Sequence, residues 1–364
     1  MNFIALCIIS GIVILLLDDS SAIRKIDTSD MLSAIHKTPD RLLPPADAES
    51  TCPIDIEPPM AVVLAGLGGS GIIGDILADY CRDRAQVPVT ICRSLGVPKF
   101  VNASTLFVAI SYSGDTRETL GMFEQAKNAH AKLVVISSGG KLLSLARSAG
   151  VPYLMVTSGM PPRVALPELV AALVYVLEKA KALENGARLL ESASKSTRSL
   201  IDNVKATVRI AQNPAKQVAS SLAGHLPLLI CSEENVSVLR RFKNELNENS
   251  KAPAVIYTLP EAYHNDIEGL KSLNDLSNPQ PVILRSRRQN VDEDLAAKKL
   301  LEAFSQFGYP SPLFFSGIGD ERLGWLLSAI TFGDFVSFYL AILNGVDPSR
   351  LSLIPQFRAL RDQE

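Results

Sequence analysis

TLFVAISYSGDT, residues 105–116, is the stretch of sequence that decides the fold prediction. Its first half is apolar and rich in strand-favouring residues, so a strand is predicted over 105–110. Hydroxyl residues and a glycine follow, and a helix is predicted from Arg117 to about His130. An upstream copy at 61–71, AVVLAGLGGSG, repeats the order of strand, glycine-rich turn and helix start. Two such crossings in one sheet predict a pocket at the carboxyl ends of parallel strands.

Strand-like and helix-like runs alternate along most of the remaining chain. We predict strands at 61–65, 87–92, 105–110, 132–137, 152–156, 228–231, 254–257, 282–284 and 313–315. We predict helices at 72–82, 117–130, 140–149, 166–182, 236–248, 292–307 and 322–344. Such alternation implies right-handed βαβ crossovers and parallel sheets. The sequence therefore predicts an α/β protein with two similar halves in tandem.

The predicted organisation has six segments. They are an apolar N-terminal extension at 1–27, an N-terminal helix and loop at 28–60, a first domain at 61–182, a helical connector at 183–215, a second domain at 216–350 and a C-terminal tail at 351–364. In the second segment a helix pattern begins near Ser29, and Asp30 is its predicted cap. A chain of 364 residues is long enough for two medium-sized domains.

Composition and charge exclude several classes of function. With 36 basic and 38 acidic residues the chain has a net charge of −2, which does not suit a protein that follows a nucleic-acid backbone. The five cysteines have no CxxC spacing, and the four histidines are scattered. We therefore expect neither a metal site nor a disulfide framework, and no nucleic-acid partner.

The N-terminal residues 2–17 are uncharged and almost wholly apolar. This segment is short for a membrane span and lacks the basic start of a secretory signal. Three interpretations compete: a membrane anchor, a signal-like segment, and an upstream extension that the natural protein does not contain. We favour the extension, and on that interpretation a membrane is not an expected partner.

The glycine-rich turn has two interpretations of its own. Gly66, Gly68 and Gly71 fit the G-x-G-x-x-G pattern of dinucleotide sites, but that pattern also requires an acidic residue after the next strand. Arg93 stands there instead, which leaves an NADP 2′-phosphate open. The plainer interpretation is a tight turn that needs glycines for backbone room.

The loop at 111–116 favours a phosphate more clearly. An ordinary helix cap needs one hydroxyl, whereas Ser111, Ser113 and Thr116 supply three. Hydroxyls beside a helix N-terminus are neutral donors for a dianionic phosphate. Because the loop has no lysine, a nucleoside triphosphate is not favoured.

Three further side chains are candidates for chemistry. Glu248 lies within a polar helix end, NENSK at 247–251, where a charge run is usually only solvated. His264 follows a predicted strand and a proline turn, although a lone histidine is more often structural. Arg163 precedes an apolar helix, where a cation opposes the helix dipole unless it faces an anion.

Together these motifs resemble those of the bifunctional phosphoglucose/phosphomannose isomerases, a family built from two sugar isomerase (SIS) domains. The residues that carry the resemblance are Gly68-Gly69-Ser70-Gly71, Ser111–Thr116, Pro162-Arg163, Asn247–Lys251 and His264-Asn265. The resemblance runs from about residue 28 to the C-terminus. It implies two SIS-type, flavodoxin-like, three-layer parallel-sheet domains in tandem.

The resemblance also implies a role for each residue. Ser111, Ser113 and Thr116 would hold the substrate phosphate, while Ser70 and the backbone of Gly68 and Gly69 would border the sugar. Glu248 would move a proton between C2 and C1, Arg163 would stabilise the enediolate, and His264, reaching the site from the neighbouring subunit, would assist ring opening. The family also uses a lysine near the C-terminus. This chain has none after Lys299, and Arg358 and Arg361 are the candidate substitutes, although arginine exchanges protons poorly.

We therefore expect a cytoplasmic, metal-independent and cofactor-free homodimer with shared active sites. It would interconvert glucose 6-phosphate, mannose 6-phosphate or both with fructose 6-phosphate. Three alternatives stay open: a non-catalytic SIS regulator that binds a sugar phosphate, an NADP-dependent oxidoreductase, and an SIS isomerase that acts on an amino sugar phosphate. A regulator of this kind usually carries a helix-turn-helix, and the segment before Ala61 is too short and too acidic for one.

Overall fold

The computed structural model describes residues 16–43, 56–287 and 291–361. The chain divides into two compact units, which we name by their sheets. Of the described residues, the five-stranded unit comprises 37–43, 56–198 and 318–328. The four-stranded unit comprises 16–36, 199–287, 291–317 and 329–361.

The five-stranded unit is a parallel sheet with the strand order β2-β1-β3-β4-β5. Its strands are β1 (Ala61–Ala65), β2 (Val89–Cys92), β3 (Thr105–Ile110), β4 (Lys132–Ser137) and β5 (Tyr153–Met155). Its helices are α3 (Thr38–Arg41), α4 (Gly69–Cys81), α5 (Arg117–Asn128), α6 (Gly140–Ser148), α7 (Leu166–Lys179) and most of α8 (Gly186–Val204). Strand β3 is buried along its whole length, as expected for a central strand covered on both faces.

The four-stranded unit repeats this plan with the order β7-β6-β8-β9, again parallel. Its strands are β6 (Leu226–Ser232), β7 (Val255–Leu259), β8 (Pro279–Leu284) and β9 (Leu313–Phe315). Its helices are α1 (Ser20–Ile26), α2 (Met31–His36), α9 (Pro214–Leu222), α10 (Val236–Glu245), α11 (Leu270–Ser277), α12 (Val291–Gln306), the larger part of α13 (Arg322–Leu343) and α14 (Leu353–Arg361).

The predicted fold class is confirmed. In both sheets the second strand in sequence lies at the edge, and the first strand lies next to it. The third strand pairs with the other side of the first, which gives the flavodoxin-like order. The predicted strands all form, with ends that shift by up to three residues. The chain therefore contains two doubly wound α/β sheets in tandem.

The N-terminal segment enters the four-stranded unit from residue 16 onward. Leu17 is fully buried, and Asp18 Oδ1 lies 2.9 Å from Nζ of Lys216, whose side chain is inaccessible to solvent. The same ammonium donates to the Ala206 carbonyl at 2.8 Å and lies 5.6 Å from the ring centroid of Tyr339. Residues 16–27, which the sequence assigns to the apolar extension, thus supply the counter-charge of a buried lysine. The remainder of that segment, residues 1–15, lies outside the described residues.

We expect Asp18→Asn to lower the free energy of unfolding by about 2–4 kcal/mol, because breaking a buried ion pair leaves an uncompensated charge. This is less than the cost of about 3–5 kcal/mol for a fully buried pair, because the Asp18 side chain is 25% exposed. Urea titration of purified variants measures it. Asp19→Asn is the matched control, because asparagine can still accept the capping bonds that Asp19 receives from Ser21 and Ala22. Equal stability of the two variants would contradict the role of Asp18.

The predicted cap of helix α2 is wrong. Asp27, rather than Asp30, caps it: the Asp27 carboxylate accepts from the amides of Met31 at 2.8 Å and Leu32 at 3.0 Å. Asp30 has a left-handed backbone, with φ of 55°, and accepts from the Ser33 hydroxyl. The carboxylate that caps α2 thus lies three positions earlier in the chain than predicted. Sequence spacing does not show that the chain turns between Asp27 and the helix.

Helix α13, Arg322–Leu343, is long and apolar enough to cross a membrane by composition alone. Every residue of its most apolar window is buried inside the protein. Its side chains therefore serve as core, which is the usual place for a helix that is apolar all round.

Candidate functional site

The candidate phosphate site lies at the carboxyl edge of the five-stranded sheet. Loops leave this edge after β1, β3, β4 and β5, and three of them lead directly into helices α4, α5 and α6. Helix N-termini carry partial positive charge and amide donors that favour an anion. The parallel topology thus brings the glycine-rich turn and the 111–116 loop to one edge.

Within the 111–116 loop the hydroxyls are organised before any ligand binds. Ser111 is 1% exposed; its Oγ donates to Thr116 Oγ1 at 3.0 Å and accepts from the Gly114 amide at 3.1 Å. Ser113 is exposed and Thr116 half-buried. In the described part of the chain Thr116 makes no side-chain capping bond to α5, although it is the N-cap residue. Ser113 and Thr116 are therefore the hydroxyls best placed to meet a ligand, and Ser111 shapes the loop.

A second loop, after β4, locks the first in place. Gly114 and Gly140 have φ of +73° and +72°, and a Cβ added to Gly114 would lie 1.8 Å from the Gly139 carbonyl oxygen. Asp115 Oδ1 accepts from the Lys141 amide at 3.0 Å, and Ser138 Oγ donates to the Tyr112 carbonyl at 2.6 Å. The sequence analysis missed this partner loop. Its signal was available, because SSGGK at 137–141 also places hydroxyls and glycines after a strand.

Tyr112 also ties the 111–116 loop to the glycine-rich turn and to the loop after β5. Its amide donates to Ser70 Oγ at 3.1 Å, which ties the glycine-rich turn to the 111–116 loop. Its hydroxyl donates to the Thr157 carbonyl and accepts from the Met160 amide, both at 2.9 Å, in the loop after β5. That loop carries Arg163, a residue that is 5% exposed. A Cβ on Gly69 would lie 3.8 Å from the Arg163 amide nitrogen, so Arg163 borders the glycine-rich turn.

The structure also assigns Arg93 a partner. Its guanidinium forms an ion pair with Asp75, which is 2% exposed, and donates to the Gly71 carbonyl at 3.1 Å. Arg93 thus neutralises a buried carboxylate of helix α4. An arginine committed in this way is poorly suited to receive an NADP 2′-phosphate, so the glycines are better explained by the close approach of Gly66, Gly71 and their neighbouring backbone.

A cavity of about 360 Å³ lies at the opposite, amino edge of the same sheet. Helices α4 and α7 end there, and Arg84 and Lys181 among its lining residues suit the negative ends of helices. Burial raises the pKa of the Cys81 thiol, which also lines it, to about 12. The thiol is therefore protonated at neutral pH and is a poor nucleophile.

In the four-stranded unit Glu248 lies on a π-helical turn, Leu246–Ser250, that follows α10. The sequence predicts an ordinary helix to residue 248, and this is a correction: the last turn widens and ends at Lys251 in a left-handed conformation, with φ of 58°. Isolated π turns are rare and frequently mark functional sites. Glu248 is half-buried on this turn, whereas Asn249 and Ser250 are each 1% exposed.

A buried charge cluster lies behind the turn. Arg241 Nη1 is 2.7 Å from Glu245 Oε1, and Arg241 Nε donates to Asp334 Oδ1 at 3.0 Å. Burial alone would lower the pKa of Arg241, but the carboxylates of Asp334 and Glu245 raise it, with a smaller contribution from Glu248. Burial raises the pKa of Asp334, and Arg241 opposes that effect. The guanidinium therefore stays charged and holds two carboxylates under the turn.

Glu248 and His264 lie toward opposite edges of their own sheet. Helix α10 starts at the carboxyl end of β6 and runs back, so the turn that follows it lies at the amino edge. His264 is exposed and follows β7 and a short 3₁₀ turn, at the carboxyl edge. One copy of this unit therefore does not bring Glu248 and His264 together. Arg358 and Arg361 fall in helix α14, at positions whose side chains the structure does not describe.

Among the residues that the structure describes, no cluster of three or more His, Cys, Asp or Glu side chains could hold a metal ion. The five-stranded unit brings Gly68, Gly69, Ser70, Ser111, Ser113, Thr116 and Arg163 to one edge. The four-stranded unit supplies the half-buried carboxylate of Glu248 and the exposed histidine His264. These are the parts needed to anchor an anion and to move protons.

Comparison with known proteins gives a family match. Residues 211–360 match the model described as "Bacterial phospho-glucose isomerase C-terminal SIS domain". A bifunctional phosphoglucose/phosphomannose isomerase of Caldicellulosiruptor bescii is 31% identical over 294 residues, which cover 80% of this chain and 87% of that protein.

Two further comparisons widen the picture. A D-glucosamine-6-phosphate 4-epimerase of Sulfolobus acidocaldarius is also 31% identical, over 80% of this chain and 86% of its own length. Among solved structures, the C-terminal domain of glucosamine-fructose-6-phosphate aminotransferase from Francisella tularensis has a TM-score of 0.62 at 16% identity. The alignment covers 88% of this chain and 98% of that one. At this low identity the structural likeness supports the fold alone.

Proposed function

This chain belongs to the bifunctional phosphoglucose/phosphomannose isomerase family, and from that premise we propose that it is an aldose–ketose isomerase. It interconverts fructose 6-phosphate with glucose 6-phosphate, mannose 6-phosphate or both. The reaction moves one proton between C1 and C2 through an enediolate. Such a transfer needs a carboxylate base, a cation for the developing oxyanion and an acid or base for ring opening.

One observation supports this proposal most. Glu248 is a half-buried carboxylate on a rare π turn, while the side chains of its neighbours Asn249 and Ser250 are buried and hydrogen-bonded to helix α13. A turn that is fixed by its neighbours and presents one carboxylate is what general base catalysis requires, because the base must be held at the carbon-bound proton.

The residues divide into an anchor and a reaction centre. Ser113 and Thr116 bind the phosphate, with Ser111 holding the loop, and the backbone of Gly68 and Gly69 with Ser70 borders the sugar. A remote phosphate anchor provides binding energy that positions the reacting carbons.

Glu248 abstracts the proton from one carbon and returns it to the other. Arg163 is the cation for the enediolate oxygen, since it is buried and borders the glycine-rich turn. His264 takes part in ring opening. Arg358 and Arg361 stay the candidate substitutes for the family lysine, although arginine exchanges protons poorly.

A homodimer with shared active sites follows from the same proposal. If Glu248 and His264 serve one substrate while lying toward opposite edges of their sheet, the histidine must come from a second copy of the chain. We accordingly propose a dimer in which each site combines residues of both subunits, in the cytoplasm, where phosphorylated sugars are processed.

Active-site complementation tests the shared site. We expect Glu248→Gln and His264→Gln each to lose at least about tenfold in turnover, because each removes an acid–base group. Heterodimers isolated after co-production with different tags should regain about half of wild-type activity per dimer, because one of the two sites is intact. Isolated heterodimers without recovered activity would contradict the shared site, and a fully active His264→Gln would remove the histidine from the mechanism.

The second candidate function is epimerisation of an amino sugar phosphate. It is favoured by the Sulfolobus relative, which is named for a different activity although its identity to this chain is the same 31%. Both activities take a sugar 6-phosphate, but they act on different carbons. Sequence identity at this level does not discriminate between them.

One assay separates these candidates. Purified protein is incubated with fructose 6-phosphate and, separately, glucosamine 6-phosphate, each with a chelator, and the products are identified. We expect glucose 6-phosphate, mannose 6-phosphate or both from the first substrate. Galactosamine 6-phosphate from the second alone would favour the epimerase, and no product from either would favour a regulator. Tight NADPH binding in a fluorescence titration would favour the oxidoreductase.

A further inference from the structure

The π turn that carries Glu248 is tied down by side chains that are sealed from solvent. Glu245 and Asn249 are 2% and 1% exposed, and both lie within one turn of Glu248. Groups so deeply buried are poor candidates for direct contact with a sugar. Their chemistry has to act through the protein.

Asn249 makes two bonds that fix the turn from below. Its Nδ2 donates to Glu245 Oε2 at 2.9 Å, on the preceding helical turn, and to Ser337 Oγ at 3.0 Å, on helix α13. Ser337 Oγ in turn donates to the Asp334 carbonyl at 2.8 Å. The side chain of Asn249 therefore joins α10 to α13 directly beneath residue 248.

Glu245 is itself held by charge. Arg241 lies 2.7 Å from Glu245 Oε1 and 3.0 Å from Asp334 Oδ1, so one guanidinium bridges the two helices. One carboxylate oxygen of Glu245 thus faces Arg241, and the other accepts from Asn249. The chain of contacts runs from Asp334 through Arg241 and Glu245 to Asn249.

A π turn needs this support. Its wide hydrogen-bonding pattern is rare, and irregular backbone of this kind persists only where the surroundings over-determine it. Ser250 Oγ donates to the Ser337 carbonyl at 2.7 Å, and Asn344 Nδ2 donates to the Ser250 carbonyl at 2.9 Å. The buried side chains thus select the conformation that presents Glu248.

On the basis of the proposed role of Glu248 as the base, we propose that Asn249 and Glu245 are positioning residues that hold its carboxylate at the reacting carbons. They touch no substrate. Removing either one releases the turn toward an ordinary helix end and moves the carboxylate. A misplacement of about 1 Å can slow the chemical step by about 10²-fold. We therefore expect these variants to have a lower kcat.

The test measures kcat and KM for fructose 6-phosphate in Asn249→Ala, Glu245→Ala and the double variant. We expect each single variant to lose about 10- to 100-fold in kcat, with KM within about threefold, because phosphate binding is unchanged. The double variant should lose little more than the worse single variant, because both act through one contact. Ser337→Ala, which removes only one of the two Asn249 acceptors, should lose less and serves if the others do not fold.

Asn213→Ala is the matched control. Asn213 is a fully buried asparagine of the same unit and donates to the carbonyls of Val204 and Lys205, away from the turn. It should lower the melting temperature while leaving kcat near wild type at a temperature where all variants are folded.

Wild-type kcat in Asn249→Ala, or an equal loss of kcat in Asn213→Ala, would overturn the positioning role. Multiplicative losses in the double variant would do so as well. Glu248→Gln, measured alongside, separates the two ideas: if it is fully active the proposed function fails, whereas if it is inactive and Asn249→Ala is normal only the positioning role fails.

Discussion

Replacing the carboxylate of Glu248 with an amide, Glu248→Gln, should reduce kcat for fructose 6-phosphate isomerisation by about 10²–10⁴-fold, the usual contribution of a general base. Glutamine has the same shape and can occupy the same place on the π turn, so the fold should be unchanged. It cannot accept the carbon-bound proton. The dissociation constant for fructose 6-phosphate, measured by calorimetry, should stay within about threefold of wild type because the phosphate anchor is intact.

Exchange of the C1 proton with solvent is an independent measurement of proton transfer in the same variant. Wild-type enzyme in D₂O should place deuterium at C1 of fructose 6-phosphate, and Glu248→Gln should not, as followed by NMR. Glu302→Gln, on the exposed face of α12, is the control and should behave like wild type. Exchange at the wild-type rate in Glu248→Gln would show that another group moves the proton.

Adding a methyl group at Gly114 should have the largest effect on the phosphate loop. The new Cβ of Gly114→Ala would lie 1.8 Å from the Gly139 carbonyl oxygen, and the residue has φ of +73°. The left-handed backbone costs about 1–2 kcal/mol and overpacking about 1–3 kcal/mol, so we expect a total loss of roughly 2–5 kcal/mol. Because the strain falls between Ser113 and Thr116, KM for fructose 6-phosphate should also rise at least about tenfold.

Gly121→Ala is the matched control, since Gly121 lies in helix α5, which the same loop starts, and a Cβ there meets no atom within 4 Å. It should raise stability by about 0.5–1 kcal/mol, as alanine does in a helix interior. Urea titration and steady-state kinetics on both variants make the comparison. Equal stability of Gly114→Ala and wild type would mean that the two loops are not locked together as described.

The fold was predictable because the local sequence of each strand indicates that strand. Strand β3 is an unbroken apolar run, and a glycine or hydroxyl cluster ends it, so both the element and the edge it points to follow from residues 105–116. That the candidate phosphate residues share one edge was predictable for the same reason. They follow strands directly, and parallel strands deliver their loops to one edge.

What the sequence did not predict depends on contacts between distant segments. The pairing of Asp18 with Lys216 joins residues 198 positions apart, and no local sequence pattern predicts it. The same holds for Arg241 with Asp334. The π turn escaped prediction because NENSK follows a helical pattern without a break, and the bonds from Asn249 and Ser250 to α13 that hold the turn join distant segments.

The most direct test of the whole account is a crystal structure of Glu248→Gln with fructose 6-phosphate bound. We predict that the phosphate oxygens lie within hydrogen-bonding distance of Ser113 Oγ and Thr116 Oγ1. We also predict that C1 and C2 lie about 3–3.5 Å from the side chain at position 248, the range of a near-attack geometry. A phosphate bound elsewhere, or sugar carbons far from position 248 of every subunit, would contradict the proposed mechanism.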